Sequence, residues 1–427
     1  MHEDFLHHVW KYQKFKANNH LNTQGNEAIQ ILAIGVHNTS SSGPDFLNAR
    51  IKIGDQQWAG SVEIHINSSD WYAHGHEDDP NYDNVILHVV WEEDVEIYRS
   101  NKEAIPCLEL KTLVDPSTKI NYDSLVGRIS NSINCEKSFS TFDDFTLNSW
   151  FDRLYIERLE VKTKTISTLL EENQSHWEDA LFKLLCKNFG LNKNGEAFLD
   201  IAHQLGFKTI LKHQHSVLEL ESLLLGTGRF LDDEFEESYT RQLKSNYDFL
   251  KHKYDLKPSK YKADFFRLRP DNFPTIRLAQ LAKIYHQTPQ LFQAVINAKT
   301  KKELYSLFKV ELGEFWNIHY SLTKRSPSKK KRLSTSFIEL LIINTIIPLK
   351  FYYEKQKGEV DYEVLFDIMR DLKPEQNSKV NVFETLRAKT NTSAFNSQAL
   401  LHLKLNYCDK NYCLKCHLGQ KLINGLI

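Results

Sequence analysis

Three side chains near the start of the chain, Asp45, Glu63 and His65, have the types and the spacing of a metal-dependent catalytic site. Side chains two residues apart on a strand point the same way, so Glu63 and His65 share one face of a predicted strand. The Gly54-Asp55 pair predicts a hairpin turn that sets this strand beside the one that begins near Asp45. Neighbouring carboxylates repel each other unless a cation joins them, and Mg²⁺ or Mn²⁺ prefers such ligands. His65 would then be a base that activates water or a third ligand.

Strict alternation along the strand after Asp45 argues against this pairing. It places Asp45 on the same face as Leu47, Ala49 and Ile51, which is the predicted apolar face. A bulge would restore a common face with Glu63, and alternation is least regular where a Gly-Pro pair leads into a strand. The alternative is an ordinary polar hairpin without a catalytic site.

The loop after this strand carries His74 and His76, followed by Asp78, Asp79 and Asp83. A His-x-His pair with nearby carboxylates has the ligand types that bind Zn²⁺ or Mn²⁺. The alternative is a surface loop whose polar side chains cap short helices. In either case a loop that leaves a strand with catalytic residues is well placed to close over a substrate.

Three of the six cysteines, Cys408, Cys413 and Cys416, lie close together near the C-terminus. Thiolates at this spacing converge on one metal, and a fourth ligand completes a tetrahedral Zn²⁺ site or an iron–sulfur cluster. Cys135 is the first candidate for that ligand, because the two other cysteines lie on predicted apolar faces. The sequence therefore predicts a zinc or iron–sulfur site, with free thiols as the alternative.

Two basic stretches are candidates for contacts with nucleic acid. The segment FFRLRPDNFPTIRLAQ sets Arg267, Arg269 and Arg277 among phenylalanines, and arginines hold phosphates while aromatic rings stack on bases. Residues 324–332, KRSPSKKKR, could lie against phosphates. The alternatives are helix ends around a packed aromatic core for the first stretch and a solvated loop for the second.

The hydrophobic pattern divides the chain into two regions and a linker. Residues 1–115 begin with an amphipathic helix and continue with alternating segments, which predicts a mixed-sheet α/β domain. Residues 143–427 show apolar residues at three- and four-residue spacing, which predicts a large all-α domain that carries the C-terminal cysteines. Residues 116–142, rich in Ser, Asn and Asp, are the predicted linker. The expected fold class is α+β.

The net charge of −1 conceals an asymmetry between the two regions. Residues 1–115 hold 8 Lys and Arg against 18 Asp and Glu, whereas the rest hold 46 against 37. An acidic region suits a cation and a basic region suits a polyanion. The apolar run at residues 337–349 is shorter than the roughly 20 residues of a membrane span and predicts a buried core helix. Because no secretory leader pattern opens the chain, we expect a cytoplasmic protein without membrane contact.

An Asp after Pro, then Glu-x-Lys on the next strand, within the order helix, three strands, helix, strand, is the pattern of the restriction-endonuclease-like PD-(D/E)XK superfamily. Residues 1 to about 111 resemble it at Pro44-Asp45 and Glu63-x-His65, with His65 where lysine is usual. The resemblance implies a restriction-endonuclease-like α/β domain. It also implies that Asp45 and Glu63 bind the cation, that His65 replaces the lysine, and that Glu3 adds an acidic group.

The whole chain also resembles an uncharacterised bacterial family known only as a domain of unknown function. The resemblance rests on EDFLHHVWKY, SGPDFLNARIKI, WAGSVEIHINSSDW and HGHEDDPNYDNVILHVVW, and it implies no reaction.

Together the residues and the first resemblance predict a metal-dependent nuclease, or a nuclease-derived nucleic-acid-binding protein, with DNA favoured over RNA as the partner. One alternative is a non-catalytic binding or scaffold protein whose cysteine site is only structural. The other is a zinc hydrolase that uses His65, His74 and His76.

Overall fold

In a computed structural model, which describes residues 1–15, 20–39, 41–126 and 132–426, the chain forms two compact units. The first unit combines Met1–Trp150 with Leu403–Ile427, and the second is Phe151–His402. The first unit contains a mixed sheet and the second is helical, so the predicted order of an α/β region before a mostly helical region is confirmed. The C-terminal cysteines belong to the first unit, whereas we expected them in a helical domain of residues 143–427.

Within the described ranges, the first unit is built on a seven-stranded sheet. The strands are β1 (Leu21–Asn22), β2 (Ala28–Ala33), β3 (Val36–His37), β4 (Phe46–Ile53), β5 (Gln56–Asn67), β6 (Val85–Glu92) and β7 (Cys107–Glu109). Their order is β1-β2-β4-β5-β6-β7, and β3 pairs with β4. All pairs among β1 to β5 are antiparallel, whereas β6 is parallel to β5 and β7 is parallel to β6. The predicted Gly54-Asp55 turn connects β4 to β5.

Helices flank the sheet and make up most of the second unit. They are α1 (Glu3–Lys11), α2 (Asp70–Ala73), α3 (Pro116–Val126), α4 (Asp144–Glu172), α5 (Trp177–Phe189), α6 (Leu191–Leu205), α7 (Phe207–His213), α8 (Val217–Thr227), α9 (Ser238–Tyr254), α10 (Pro274–Gln287), α11 (Leu291–Asn297), α12 (Lys301–Phe308), α13 (Glu314–Asn317), α14 (Thr335–Leu341), α15 (Ile347–Lys357), α16 (Tyr362–Asp371), α17 (Ser378–Leu386), α18 (Ala394–Leu403) and α19 (His417–Ile423). Helices α1, α2, α3 and α19 lie in the first unit.

One face of the sheet forms the main core of the first unit. Apolar residues of α1, β4, β5 and β6 meet there with residues of α3 and of the C-terminal segment: Phe5, Trp10, Phe46, Ile51, Val62, Ile64, Val89, Tyr122, Leu125, Leu414 and Ile423. The predicted linker 116–142 therefore begins with a helix that contributes to this core, and its residues 127–131 lie outside the described residues. The end of the chain contributes to the same core.

The opposite face of the sheet carries a smaller apolar cluster and several polar side chains. The cluster consists of Trp71, Tyr82, Val85, Ile97 and Ile105. Beside it, β5 presents polar residues that are almost fully buried. This second face is where the candidate site lies.

The apolar run at residues 337–349 lies inside the second unit. Helix α14 leads into a π-helical turn, Ile342–Ile346, and α15 follows directly. Within the described part of the chain, Thr335–Lys357 is the one helical stretch long and apolar enough to cross a membrane, and 67% of its most apolar window is buried in the fold. Such burial is that of a core helix, so the prediction for this run is confirmed.

Candidate functional site

An irregular pairing at the start of β4 brings Asp45 onto the same face of the sheet as Glu63. Phe46 pairs with Val62, and Ala49 pairs with Gly60. Three residue steps on β4 therefore lie opposite only two on β5. The extra residue is a β-bulge, and Asn48 within it has a left-handed φ of 59°. The bulge leaves Phe46 and Ala49 both on the core face, so Asp45 points to the opposite face with Glu63. The difficulty raised by strict alternation is thereby removed.

Backbone hydrogen bonds interlock Asp45 and Glu63 across the two strands. The N–H of Asp45 donates to Glu63 Oε2 at 3.0 Å, and the N–H of Ile64 donates to Asp45 Oδ2 at 3.0 Å. From α1, His7 places Nε2 3.2 Å from Asp45 Oδ2, and Glu3 interacts electrostatically with Asp45. Side chains of α1, of β5 and of the residue that precedes β4 thus form the carboxylate half of the site.

Three histidines form the other half of the site. His65 Nε2 lies 3.1 Å from His74 Nδ1. Glu63 Oε1 lies 3.6 Å from His65 Nε2 and 3.5 Å from His76 Nε2. Among the described residues, these three histidines are the one group whose metal-ligating atoms all lie within 4.8 Å of one another. The Asp45–Glu63 pair and the histidine loop, which the sequence presented as two separate candidates, lie in one place.

Short helical turns set the positions of the two loop histidines, His74 and His76, next to the sheet. His74 follows α2, Gly75 has a left-handed φ of 72°, and His76 begins a 3-10 turn. Glycine adopts this φ without the strain that a Cβ atom adds. The His76 ring stacks on Tyr82 with centroids 3.7 Å apart. The loop is therefore folded back over β5, with the His74 ring the most exposed of the three.

A fourth histidine, His88 on the neighbouring strand β6, contacts the ring of His65. It is fully buried, and its Nε2 lies 2.8 Å from Nδ1 of His65. When His65 donates from Nδ1, the lone pair of its Nε2 is free to face His74 and Glu63. Metal-ligating histidines are commonly oriented by such a partner on the other ring nitrogen.

Burial determines the protonation of these groups. It lowers the pKa of His65 to about 3, and His76 and His74 act in the same direction. Burial also lowers the pKa of His88 well below its usual value. For Glu63, burial raises the pKa to about 7, although the hydrogen bond with His76 opposes this rise. Neutral imidazoles are ready to bind a cation, and a cation beside Glu63 would favour its ionised form.

The donor set fits a divalent cation. Three imidazoles with one carboxylate are typical of Zn²⁺ and are also accepted by Mn²⁺, whereas carboxylates alone suit Mg²⁺. Glu63 is common to both halves, because Oε1 faces the histidines and Oε2 faces the backbone of Asp45.

Sequence reasoning missed His7 and His88. His7 lies one helical turn after Glu3, and this i, i+4 spacing on an amphipathic helix was the available signal. His88 interrupts an otherwise apolar strand, and a buried polar group needs a partner. Neither pattern indicates which residues of the neighbouring strands His7 and His88 contact.

The four predicted cysteine ligands come together in the first unit. Cys135 precedes a 3-10 turn, Glu136–Thr141, and the other three lie between α18 and α19. Electrostatic interactions connect each of Cys135, Cys408, Cys413 and Cys416 to the other three. All six cysteines are free thiols, and the two outside this group are buried elsewhere.

The structure places the three arginines that were predicted to contact nucleic acid in different environments. Arg267 and Arg269 are exposed, but Arg277 is buried in α10. Its guanidinium lies 3.5 Å from the centroid of the Phe337 ring and donates to Gln280 at 2.9 Å. Because the first turns of α10 lie inside the helical core, Arg277 does not face a solvent-side phosphate as the sequence suggested.

The basic stretch at residues 324–332 is largely neutralised by acidic residues of the second unit. Four of its six cations form ion pairs: Arg325 with Glu237, Lys329 with Asp271, and Lys330 and Arg332 with Glu311. Exposed pairs of this kind are weak, yet they reduce the positive potential of the stretch.

The fold and the site define a two-unit protein whose α/β unit carries a histidine–carboxylate cluster on the second face of its sheet. The chain belongs to the family described as Protein of unknown function (DUF2851), whose profile matches residues 3–378. The match covers the whole histidine–carboxylate site and Cys135, while the three C-terminal cysteines lie beyond it. No curated protein matches the chain, and no solved structure does.

Proposed function

We propose that this protein is a metal-dependent hydrolase that cleaves phosphodiester bonds in nucleic acid, with DNA as the favoured substrate. The observation that carries the proposal is the convergence of Asp45, Glu63, His65, His74 and His76 on one face of the sheet. Carboxylates held this close to one another are unfavourable without a cation, and together with imidazoles they are good ligands for one.

The order of the elements supports a nuclease. Helix α1 precedes β2, β4 and β5, which pair antiparallel, and β6 after α2 is parallel to β5. Restriction-endonuclease-like domains have this order, with an Asp at the start of the second strand and a Glu on the third. Asp45 and Glu63 stand at those positions, so a restriction-endonuclease-like core is part of the proposal.

Each residue has a separate role in the proposed reaction. A bound divalent cation would supply Lewis acidity to the phosphoryl group and acidity to a water. Asp45 and Glu63 hold the cation by charge, and the loop of His74 and His76 adds ligands and excludes bulk water. We assign His65 the role of a ligand rather than of a base, because it is buried and both of its ring nitrogens have neighbours.

A zinc hydrolase that uses His65, His74 and His76 is the second candidate. The mutual approach of His65, His74 and His76 favours it, because three protein ligands and one open position are the usual catalytic zinc arrangement. The two candidates differ in what they require of Asp45. Phosphodiester cleavage with a carboxylate-bound cation needs Asp45, whereas a three-histidine zinc site does not.

The test is cleavage of end-labelled single- and double-stranded DNA and RNA by the full-length chain with Mg²⁺, Mn²⁺, Zn²⁺ or excess EDTA. We expect cleavage with Mn²⁺, none with EDTA, and none by Asp45→Asn or Glu63→Gln. Asp55→Asn is the matched control, because Asp55 is exposed in the turn at the far end of the same hairpin.

Three outcomes contradict the proposal. Wild type that cleaves no nucleic acid with any of the metals is not the proposed enzyme. Wild type that binds labelled DNA equally with and without EDTA, and never cleaves it, is a binding protein. Cleavage that survives in Asp45→Asn but disappears in His74→Ala points to the zinc hydrolase.

A further inference from the structure

The four clustered cysteines form a second group of metal-binding side chains that the proposed reaction does not use. Cys135 comes from one segment of the chain, and Cys408, Cys413 and Cys416 come from another. All six pairs among them interact electrostatically, and Cys416 is almost completely buried. Four clustered thiols without a disulfide, one buried and three partly buried, are unusual as simple packing groups and complete a ligand set.

The four thiols make a complete ligand set for either of two thiolate-bound metal groups. A structural zinc ion takes four cysteine ligands in a tetrahedron, with bonds of about 2.3 Å to sulfur. A [2Fe–2S] or [4Fe–4S] cluster also takes four cysteine ligands. Both groups need the cysteines as thiolates, so they share the same ligand chemistry.

Hydrogen-bond donors surround the sulfur atoms. The backbone N–H groups of Leu418 and Gly419 donate toward the sulfur of Cys416. The side-chain amide of Asn134 donates to Cys413 Sγ at 3.4 Å. Donors to sulfur stabilise thiolate ligands and are one of the factors that set the potential of a cluster.

Two backbone features, a close approach at Gly419 and a π-helical turn, occur next to the cysteines. A Cβ atom at Gly419 would lie 2.1 Å from the backbone oxygen of Cys413, so only glycine lets α19 approach the cysteine loop this closely. Cys408 ends a π-helical turn, Lys404–Cys408, an irregularity that often occurs at functional sites.

The same segment is anchored in the first unit. Leu414 and Ile423 are part of its main core, and Asn121 Nδ2 donates to the carbonyl oxygen of Ile423 at 3.3 Å. Lys421 Nζ donates to Thr146 Oγ1 at 2.8 Å. A group bound by Cys135 and the C-terminal cysteines would therefore cross-link two distant segments of one core.

From these contacts we propose that Cys135, Cys408, Cys413 and Cys416 bind a thiolate-held metal group, a zinc ion or an iron–sulfur cluster, that fastens the C-terminal segment, residues 403–426, to the α/β unit. This metal group is a structural cofactor distinct from the cation of the histidine–carboxylate site. Its ligation requires four thiolates, so its insertion releases four thiol protons.

The test begins with the wild-type chain purified without oxygen. We expect X-ray absorption to show a metal with sulfur neighbours. Iron and inorganic sulfide in equal amounts, with absorption at about 400 nm, identify a cluster. One zinc ion per chain with four sulfur neighbours at about 2.3 Å identifies a zinc site. A chain in which neither iron nor zinc has sulfur neighbours, even after Zn²⁺ or Fe²⁺ with sulfide is supplied, would overturn the proposal.

Variants identify the ligands. Serine in place of Cys135 or Cys413 should remove most of the sulfur-bound metal, and Gly419→Ala should do the same with all four cysteines present. Cys107→Ala is the matched control, because Cys107 is a buried thiol of the first unit outside the group, and it should keep its sulfur-bound metal. Equal amounts of this metal in Cys107→Ala and Cys135→Ser would overturn the assignment of ligands. The wild-type spectra decide the question even where a variant fails to fold.

Discussion

The histidine–carboxylate site and the cysteine group lie in the same unit but are assembled in different ways. Glu63 and His65 stand on β5, His88 stands on β6, and Asp45 directly precedes β4, so the backbone pairing of a hairpin and one parallel strand places them. Cys135 and the C-terminal cysteines are about 270 residues apart in sequence and meet only when the end of the chain returns to the first unit. The first site depends on local pairing, and the second depends on closure of the whole chain.

The two sites also differ in their surroundings. Glu63 and His65 are buried, but His74 is exposed, so the first site is open at one side. The cysteine group is bounded by the main core and by N–H donors. An open site with mixed nitrogen and oxygen ligands suits exchange of substrate and water, whereas a closed thiolate site suits a permanent structural group. If this comparison is sound, each site can be disabled without the other.

The largest expected effect is on metal affinity at the open site. Glu63→Gln keeps an oxygen that accepts the N–H of Asp45 but removes the charge shared by both halves. We expect the affinity for Mn²⁺ or Zn²⁺, measured by calorimetry, to fall at least roughly 100-fold, since even outer partners of metal ligands contribute 10–100-fold. The amount of sulfur-bound metal at the cysteine group should not change. A loss of that metal in this variant would show that the two sites are coupled.

The next largest effect is on the pH dependence of stability. It distinguishes Glu63, a buried carboxyl that is a candidate metal ligand, from Glu221, a buried carboxyl that is not. Glu221 of α8 is fully buried in the helical unit, where it accepts hydrogen bonds at 2.9 Å from Trp316 Nε1 and from the Tyr239 hydroxyl. Burial raises its pKa to about 7 despite these donors, from a usual value of 4.5. The native state therefore holds the proton between pH 4.5 and 7, where the unfolded chain has lost it.

Because of this difference, the free energy of unfolding should decrease as the pH rises through that range, by up to about 3 kcal/mol from this group. Glu221→Gln should remove the decrease, as measured by urea unfolding with tryptophan fluorescence at pH 5 and pH 8. Saturating Mn²⁺ should leave the contribution of Glu221 unchanged, although it acts on Glu63. Parallel wild-type and variant curves over this range would contradict the prediction.

A smaller effect on stability is expected at the closed site. Cys416→Ala should lower the free energy of unfolding by about 2 kcal/mol, because binding of a group by thiolates is coupled to folding. Limited proteolysis should then release the C-terminal segment first. The affinity for Mn²⁺ at the histidine–carboxylate site should stay within about threefold of wild type, since the sites share no ligand. A variant as resistant to protease as wild type would argue against the cross-link.

The smallest effect concerns the loop that carries His74 and His76. Gly75→Ala places a Cβ atom at a left-handed φ, where the strain is about 1 kcal/mol and should lower Zn²⁺ affinity by roughly fivefold. Gly54→Ala is the matched control, because Gly54 has a φ of 57° in the turn at the other end of the hairpin. It should lose similar stability and keep its Zn²⁺ affinity. Equal Zn²⁺ affinities in the two variants would mean that the loop histidines are not ligands.

Much of the fold follows from local patterns in the sequence. Alternation in residues 1–115 predicted the sheet, three- and four-residue spacing predicted the helical region, and Gly54-Asp55 predicted the hairpin. The same patterns could not indicate that α3 and the C-terminal segment complete the first core, because this depends on contacts between distant segments. Arg277 was misjudged for a similar reason, since its burial depends on how α10 packs among other helices.

By itself the sequence determined the ligand types and their local spacing: Glu63 and His65 on one side of a strand, His74 and His76 across a glycine, and three cysteines in one loop. The tertiary structure decided that the bulge at Asn48 turns Asp45 toward Glu63 and that the histidine loop folds onto the same place. It also decided that Cys135 meets the end of the chain. The reason is physical: side-chain direction within an element follows from backbone geometry, whereas the meeting of separate elements follows from burial of surface across the whole unit.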